Sequence, residues 1–333
     1  MNTIGVVIIG RNEGARLERC LKSVVGRGFV VVYVDSGSTD DSVLMAKTLG
    51  AEVVELAAGK KFTAARARNA GFAALPADVE FVQFVDGDCE VDTNWIAKAV
   101  SELTAGQEIA AVCGRRRERF PEASIYNTLC DLEWDTPIGP AKACGGDAMF
   151  CASALAAVGG YNPELIAGEE PELCVRLRSA GWNIHRIDAE MTLHDADMHH
   201  FSQWWRRNLR NGHAFAEGAA MHGSGHDRHW VKDTRSNWFW GMLFPLIVFA
   251  VAWPTYGASL LLLGMYPLQA FRIYRYARSR GWGNASLFYA IFCVIGKFPQ
   301  AIGQLLYKVR SLQGTETQLI EYKTVAANSK GDV

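Results

Sequence analysis

Short apolar runs recur along the first ninety or so residues, and each stops abruptly at polar ones. Residues 3–10, 29–34, 53–56 and 80–85 are rich in Val, Ile and Phe, the pattern of strands buried on both faces. Between them the spacing changes. Leu17, Cys20, Leu21, Val24 and Val25 recur at helical intervals after the break at Arg11-Asn12-Glu13-Gly14. Asp40 can cap a helix running through Leu49, and residues 62–74 form an Ala-rich helix carrying Arg66, Arg68 and Asn69. Four strands alternating with three helices predict an α/β fold with a doubly wound, mostly parallel sheet. A further helix is expected over 93–103 and a strand over 112–118. That strand ends in Arg115-Arg116-Arg117, read as a solvated basic edge, with an anion-facing patch as the alternative. Pro171 and Gly181 mark the start and end of a helix whose core face carries Leu173 and Leu177.

Beyond residue 235 the pattern changes again. No charged residue occurs from 236 to 271, a stretch too long for one membrane span of about 20 residues and barely long enough for two. Pro254-Thr255-Tyr256-Gly257 in its middle reads as a turn. Arg228, Lys232 and Arg235 precede the stretch, and Arg272, Arg275, Arg278 and Arg280 follow it. Basic flanks on both sides predict a hairpin, 238–253 and 258–271, spanning or re-entrant, with both ends cytoplasmic. Residues 285–296 look too short to span, so with 301–307 they are expected to lie on the membrane. Residues 313–333 are polar and expected to be a loose tail.

Composition adds little and excludes some classes. The net charge of -1 over 333 residues predicts no general attraction to nucleic acid. The eight cysteines form no CxxC pair and no zinc-site spacing, and a disulfide framework would be unusual in so long a chain. They are expected to be reduced cytosolic thiols. The chain opens on a strand pattern, not a signal peptide.

The chemistry-bearing stretch is Asp86-Gly87-Asp88. Its carboxylates follow a buried strand, at the edge where open α/β sheets bind ligands. Side chains at i and i+2 of an extended segment point the same way, so both can face one divalent cation. The alternative is an acidic turn that caps the next helix. Asn12, Glu13 and Asp35 also follow strands, and three such polar ends suggest a nucleotide pocket; no GxGxxG accompanies them. Glu169 and Glu170 open the helix near Pro171, where its dipole favours carboxylates.

Residues 6–16 (VVIIGRNEGAR), 34–42 (VDSGSTDDS), 67–71 (ARNAG) and 85–91 (VDGDCEV) together resemble the nucleotide-sugar half of a family 2 glycosyltransferase with the GT-A fold. The resemblance implies that Asp35 contacts the base, Glu13 the ribose, and Arg68 the nucleotide or its phosphates. It implies that Asp86 and Asp88 are the family's DxD, with Asp88 the main ligand of Mg²⁺ or Mn²⁺ and Asp86 nearer the ribose and metal. Asp147, in the Gly-rich 144–150 segment, is expected near the transferred sugar or as a turn residue. His194 is a candidate to complete the metal shell. The Glu169-Glu170 pair matches the family's ED motif, with Glu170 preferred over Glu169 as the base. Gln203-Trp204-Trp205-Arg206-Arg207 is close to the family's QxxRW acceptor motif, although Arg207 stands where that motif has Trp. An amphipathic helix at the headgroup level is the other reading.

The function implied is inverting transfer of a sugar from a nucleotide-diphosphate sugar to a membrane-held, polyprenyl-linked glycan, on the cytoplasmic face of a bacterial-type membrane. The alternatives are a polyprenyl-phosphate sugar synthase, a nucleotidyltransferase, and an inactive membrane scaffold. The expected domains are 1–225 (nucleotide-sugar half about 1–110, acceptor half about 111–225), 226–312 as the membrane region, and the tail.

Overall fold

The computed structural model describes residues 3–59, 61–106 and 108–314; the expected tail falls outside these except for Gln313 and Gly314. The chain forms two compact units. The first runs to Phe120 and resumes over Glu133–Ala196; the second comprises Pro121–Leu132 and the chain from Asp197 onward. The expected boundary near 225 thus differs from the observed one, because the helix over Phe201–His222 packs with the later helices.

The first unit is a mixed sheet with helices on its faces. Its first half follows the strand–helix alternation: β1 (Ile4–Gly10), α1 (Ala15–Val24), β2 (Val30–Asp35), α2 (Ser42–Leu49), β3 (Glu52–Glu55), α3 (Ala64–Ala74) and β4 (Phe81–Asp86). Then come β5 (Cys89–Val91), α4 (Trp95–Ala105), β6 (Ile109–Glu118), β7 (Gly139–Pro140), β8 (Met149–Cys151), α6 (Ala152–Ala157), α7 (Glu169–Ser179) and β9 (Asn183–His194); α5 (Ile125–Glu133), between β6 and β7 in the chain, falls almost wholly in the second unit. The strand order is β3-β2-β1-β4-β8-β6-β9-β5, and β7 pairs β9. β1, β2, β3 and β4 pair in parallel, as the alternation requires. β8 then enters antiparallel to both β4 and β6. The sheet is therefore mixed beyond β4.

Packing of α3 on β1 explains the 67–71 motif. A Cβ on Gly71 would lie 2.3 Å from Val7 Cγ1, so only glycine lets the helix sit this close. Asn69 clamps Tyr161 in both directions, its Nδ2 donating to the carbonyl (2.7 Å) and its Oδ1 accepting from the amide (2.8 Å). Arg68, on the same helix, is thereby held at the sheet edge. The core beneath is apolar and close-packed. Phe84 meets Phe150 and Tyr161 edge-on at 5.7 and 5.3 Å. The buried Trp95 donates its indole N–H to Gln83 Oε1 at 2.7 Å.

The second unit is helical. It contains α8 (Phe201–His222), α9 (Val231–Trp238), a π-helical turn (Phe239–Leu243), α10 (Phe244–Ala250), a 3-10 segment (Ala258–Gly264), α11 (Met265–Ser279), α12 (Ala285–Ile295) and α13 (Lys297–Gln313). The expected hairpin forms, with a turn over 251–257 whose Trp253 and Tyr256 are fully exposed. Among the described residues, however, the helix long and apolar enough to cross a membrane is Ala285–Gln313, not either hairpin arm. The expectation that 285–296 is too short to span is thus corrected: the helix continues through Gly296. Pro299 does not break it, because it sits in the first turn of α13, where its missing N–H leaves no bond unmade. Lys297 is also satisfied, donating to Asn237 Oδ1 at 2.8 Å.

Candidate active site

The polar residues that end β1, β2 and β4 meet at one edge of the sheet. Asp35 is buried and anchors its own turn: Oδ2 accepts from the Gly37 and Ser38 amides (2.9 and 2.8 Å), and Oδ1 from the Tyr33 hydroxyl (3.1 Å). Asn12 ties this turn to the end of β1, its Oδ1 accepting from the Thr39 amide at 2.7 Å. Glu13 pairs with Arg16 at 3.0 Å. Its side chain lies beside Gly87, where a Cβ would stand 3.3 Å from Glu13 Cγ.

Asp86 sits between two guanidinium groups. Arg68 Nη2 donates to its Oδ1 at 2.7 Å, and Arg116 Nη2 lies 3.7 Å from its Oδ2. The Asp86 amide donates to Asp147 Oδ1 (2.9 Å), and Arg116 pairs with Asp147 Oδ2 at 2.7 Å. The Thr192 hydroxyl also donates to that oxygen, at 2.9 Å. Asp147 is fully buried, so it underpins Asp86 from within the sheet. Burial and the Asp147 carboxylate push the Asp86 carboxyl above its usual range, against the pull of Arg68 and Arg116. Burial is the largest single effect and opposes the charge on Arg68, but Asp86, Tyr161 and Glu169 together outweigh it and the guanidinium is held charged. Gly146 packs onto this network: a Cβ there would approach Arg68 Nη2 to 2.7 Å and Asp86 Oδ2 to 3.0 Å.

Asp88 faces His194, the last residue of β9. Their Oδ2 and Nε2 atoms are 3.4 Å apart. β5 pairs antiparallel with β9, with Cys89 opposite His194, which is what brings the distant histidine to the DxD. On its other side the His194 Nδ1 stands 3.5 Å from Glu118 Oε2, yet makes no hydrogen bond. The ring also packs edge-on against Trp134 at 4.7 Å. Asp88, Cys89 and His194 offer three ligand atoms within 4.8 Å of one another. A carboxylate oxygen and an imidazole nitrogen fit a divalent cation, and a carboxylate behind the imidazole is the usual means of orienting such a ligand. Burial raises the Cys89 thiol well above its usual range, so the carboxylate and imidazole are the better match for a hard cation.

The carboxylates of α7 diverge. Glu169 Oε1 accepts from Arg68 Nη1 at 2.8 Å, so one arginine joins it to Asp86. Glu170 turns into the protein: its Oε1 accepts from the Cys144 amide (2.6 Å) and lies 3.1 and 2.8 Å from the Cys144 and Cys174 thiols. Farther along the chain, Gln203 and Trp204 are buried. Gln203 Oε1 accepts from the His199 and His200 amides (2.8 and 2.9 Å), a cap for α8. Trp204 packs on Phe292 at 4.9 Å, while Trp205 is half-buried against Phe201, Arg207 half-buried, and Arg206 exposed.

The sequence reading took the arginine triplet as one solvated edge. Only Arg117 fits that, pairing with Glu190 on the surface. β6 continues through the triplet, and the register shifts beside Arg115 and Arg116 carry Arg116 into the site. Glu118 and Cys89 were also missed; each becomes visible only when β9 is laid beside β5 and β6.

This sheet and its acidic edge define a GT-A type of fold. The Glycosyl transferase family 2 model matches residues 5–149. Over those residues, somewhat under half of its length, the chain is similar to that family. It is 29% identical over 208 residues to the pre-mycofactocin glycosyltransferase of Mycobacterium tuberculosis, a match covering 58% of this chain and 42% of that protein. The chain thus spans less than half the length of that relative. An uncharacterized glycosyltransferase of Mycobacterium bovis is 27% identical over 201 residues, 56% of this chain and 84% of its own. Among solved structures, the mannosyltransferase PcManGT from Pyrobaculum calidifontis, in complex with GDP-Man and Mn²⁺, aligns with a TM-score of 0.62 at 16% identity. That alignment covers 91% of this chain and 86% of the other, and supports the fold.

Proposed function

We propose that this protein transfers a sugar from a nucleotide-diphosphate sugar to a membrane-held acceptor, with Mg²⁺ or Mn²⁺ at Asp88 and His194. The observation that carries the reading is the convergence of Asp88, Asp86, Arg68 and Glu169 at the carboxyl end of β4, with His194 closing the far side. The metal-bound complex of the mannosyltransferase of similar fold supports the choice of cation. When bound, the cation supplies Lewis-acid neutralisation of charge on the leaving diphosphate. Arg68 and Arg116 fix the Asp86 carboxylate, and Asp147 fixes its backbone. Asp35 shapes the turn on which the base would rest, and Glu13 borders the expected ribose site.

The base for the acceptor hydroxyl is moved from Glu170 to Glu169 in this reading. Glu169 shares Arg68 with Asp86, whereas Glu170 Oε1 is committed to an amide and two thiols. A base must lie within hydrogen-bond reach of the proton it removes, and only Glu169 meets the acidic edge. In-line attack with one displacement inverts the anomeric centre.

The membrane part rests on the second unit. Phe249, Trp253, Tyr256 and Leu261 are exposed there, and Ala285–Gln313 is apolar enough to cross a bilayer. A polyprenyl-linked acceptor on the cytoplasmic side fits the basic flanks of the hairpin. A second reading, transfer to a polyprenyl phosphate whose oxygen is already ionised, is favoured by the commitment of Glu169 to Arg68. The test is a donor panel with membrane-extracted lipid acceptor and Mn²⁺. Release of nucleoside diphosphate from one donor, lost in Asp88→Ala, is expected; release from none contradicts the proposal. With that donor in hand, Glu169→Gln separates the two acceptors: activity lost by about 10²-fold or more indicates a hydroxyl, and activity retained indicates a phosphate.

A further inference from the structure

The cysteines of this chain show no metal-site spacing, yet folding gathers two of them around one carboxylate. Cys144 lies in the 144–147 loop and Cys174 one turn beyond Glu170 on α7. Their sulfurs are 3.6 Å apart, and Glu170 Oε1 stands 3.1 and 2.8 Å from them. All three side chains are buried, and their ligand atoms lie within 4.8 Å of one another. Cys113 of β6 is also buried and feels the charge of Glu170 and the neighbouring Cys174 thiol.

From this geometry we infer that Cys144, Cys174 and Glu170 form a binding site for a soft divalent cation, Zn²⁺. The site is separate from the Asp88–His194 site and takes different chemistry: thiolates select Zn²⁺, whereas Mg²⁺ prefers oxygen. Tetrahedral Zn²⁺ with Zn–S near 2.3 Å and Zn–O near 2.1 Å needs sulfurs about 3.8 Å apart and S···O about 3.6 Å. The sulfur pair is already close to that spacing, and the carboxylate oxygen need retreat by only about half an ångström or somewhat more.

Binding balances simply. Two thiols lose their protons to solvent, two Zn–S bonds form, and the Glu170 carboxylate supplies the third ligand. Burial first, and then Glu170, raises the Cys174 thiol to about 11, with the hydrogen bond from Cys144 and the charge of Arg178 opposing, so affinity should rise with pH as protons are displaced. Cys144 opens the loop whose Gly146 packs on Arg68 and Asp86, so the ion would fix the floor of the active site.

The test is a titration of the full chain, solubilised in detergent, stripped of metal and held in excess Mg²⁺, with Cd²⁺ as the probe. The expected result is one equivalent with a near-ultraviolet thiolate-to-metal band, displaced by Zn²⁺. The band is lost in Cys144→Ser and Cys174→Ser and retained in Asp88→Ala and Cys151→Ser. Glu170→Gln, which keeps all the thiols, should weaken Cd²⁺ binding by at least tenfold and covers the case in which a cysteine variant fails to fold. Absence of the band in folded wild type, its persistence unchanged in Glu170→Gln and Cys144→Ser, or its loss in Asp88→Ala overturns the inference.

Discussion

Asp86 and Asp88 sit one residue apart and have different surroundings. Asp86 is gripped by two arginines, while Asp88 faces an imidazole with a carboxylate behind it. On the proposed reading, that asymmetry assigns Asp86 the organising role and Asp88 the metal. On the same proposal Glu118, 3.5 Å behind the imidazole, would act at one remove by orienting His194 when the metal is bound. Glu118→Gln should raise the Mn²⁺ concentration needed for half-maximal turnover by about 10–100-fold, with a smaller change in the saturated rate. A Mn²⁺ titration of nucleoside diphosphate release checks this, and an unchanged half-point would remove Glu118 from the account. At this scale the sequence was informative where a residue follows its own strand, as Asp35, Asp86 and Asp88 do. It says less where the partner is remote. Glu170 holds the base position of its motif, and only the fold shows its side chain turned toward Cys144 and Cys174. Arg116 looked solvated because strand register cannot be read from three like residues.

The elements depend on close approaches that only glycine allows. A Cβ on Gly303 would fall 2.0 Å from the Leu209 carbonyl oxygen, and one on Gly212 would fall 2.0 Å from that of Gln300. α8 and α13 therefore cross backbone to backbone. Gly303→Ala should destabilise the second unit by about 1–3 kcal/mol or force the helices apart, measurable as a lower denaturation midpoint. Beside this crossing, His213 and Glu217 are buried and titrate abnormally. Burial, then Arg310, lowers His213 to about 4, and burial raises Glu217 to about 7. His213 contributes stability that is present above its unfolded value of 6.5 and lost as pH falls toward 4. Glu217 contributes stability present below 4.5 and lost as pH rises toward 7. The two slopes oppose one another where their windows overlap, so the wild type should be nearly flat there. In Glu217→Gln the urea midpoint should climb between pH 4 and 6.5; a flat profile would show that His213 is not shifted. The β1–β4 alternation was legible because period and length agree in each segment. The long α12–α13 helix was not, because Lys297 and Pro299 carry a stop signal that their actual position in the first turn cancels.

Taken whole, the chain joins a glycosyltransferase fold to a helical unit with much exposed apolar surface. Leu246, Phe249, Trp253, Tyr256, Leu261 and Leu268 are all exposed. The uncharged stretch and its basic flanks made this visible in the sequence, although which helix is long enough to span was not. Trp253→Glu together with Tyr256→Glu should reduce co-flotation with anionic lipid vesicles by at least about tenfold, since each exposed aromatic can bury about 1.5–3 kcal/mol of apolar surface. Flotation equal to wild type would remove the hairpin tip from the membrane contact.

The acidic edge of β4 is proposed to be a metal–nucleotide site. Mn²⁺ binding followed by electron paramagnetic resonance, with and without a nucleoside diphosphate, tests it most directly. The account predicts one bound Mn²⁺ per chain that tightens when nucleotide is added, and loss of that binding in Asp88→Ala and its weakening in His194→Ala. Mn²⁺ bound equally well by wild type and Asp88→Ala would contradict it.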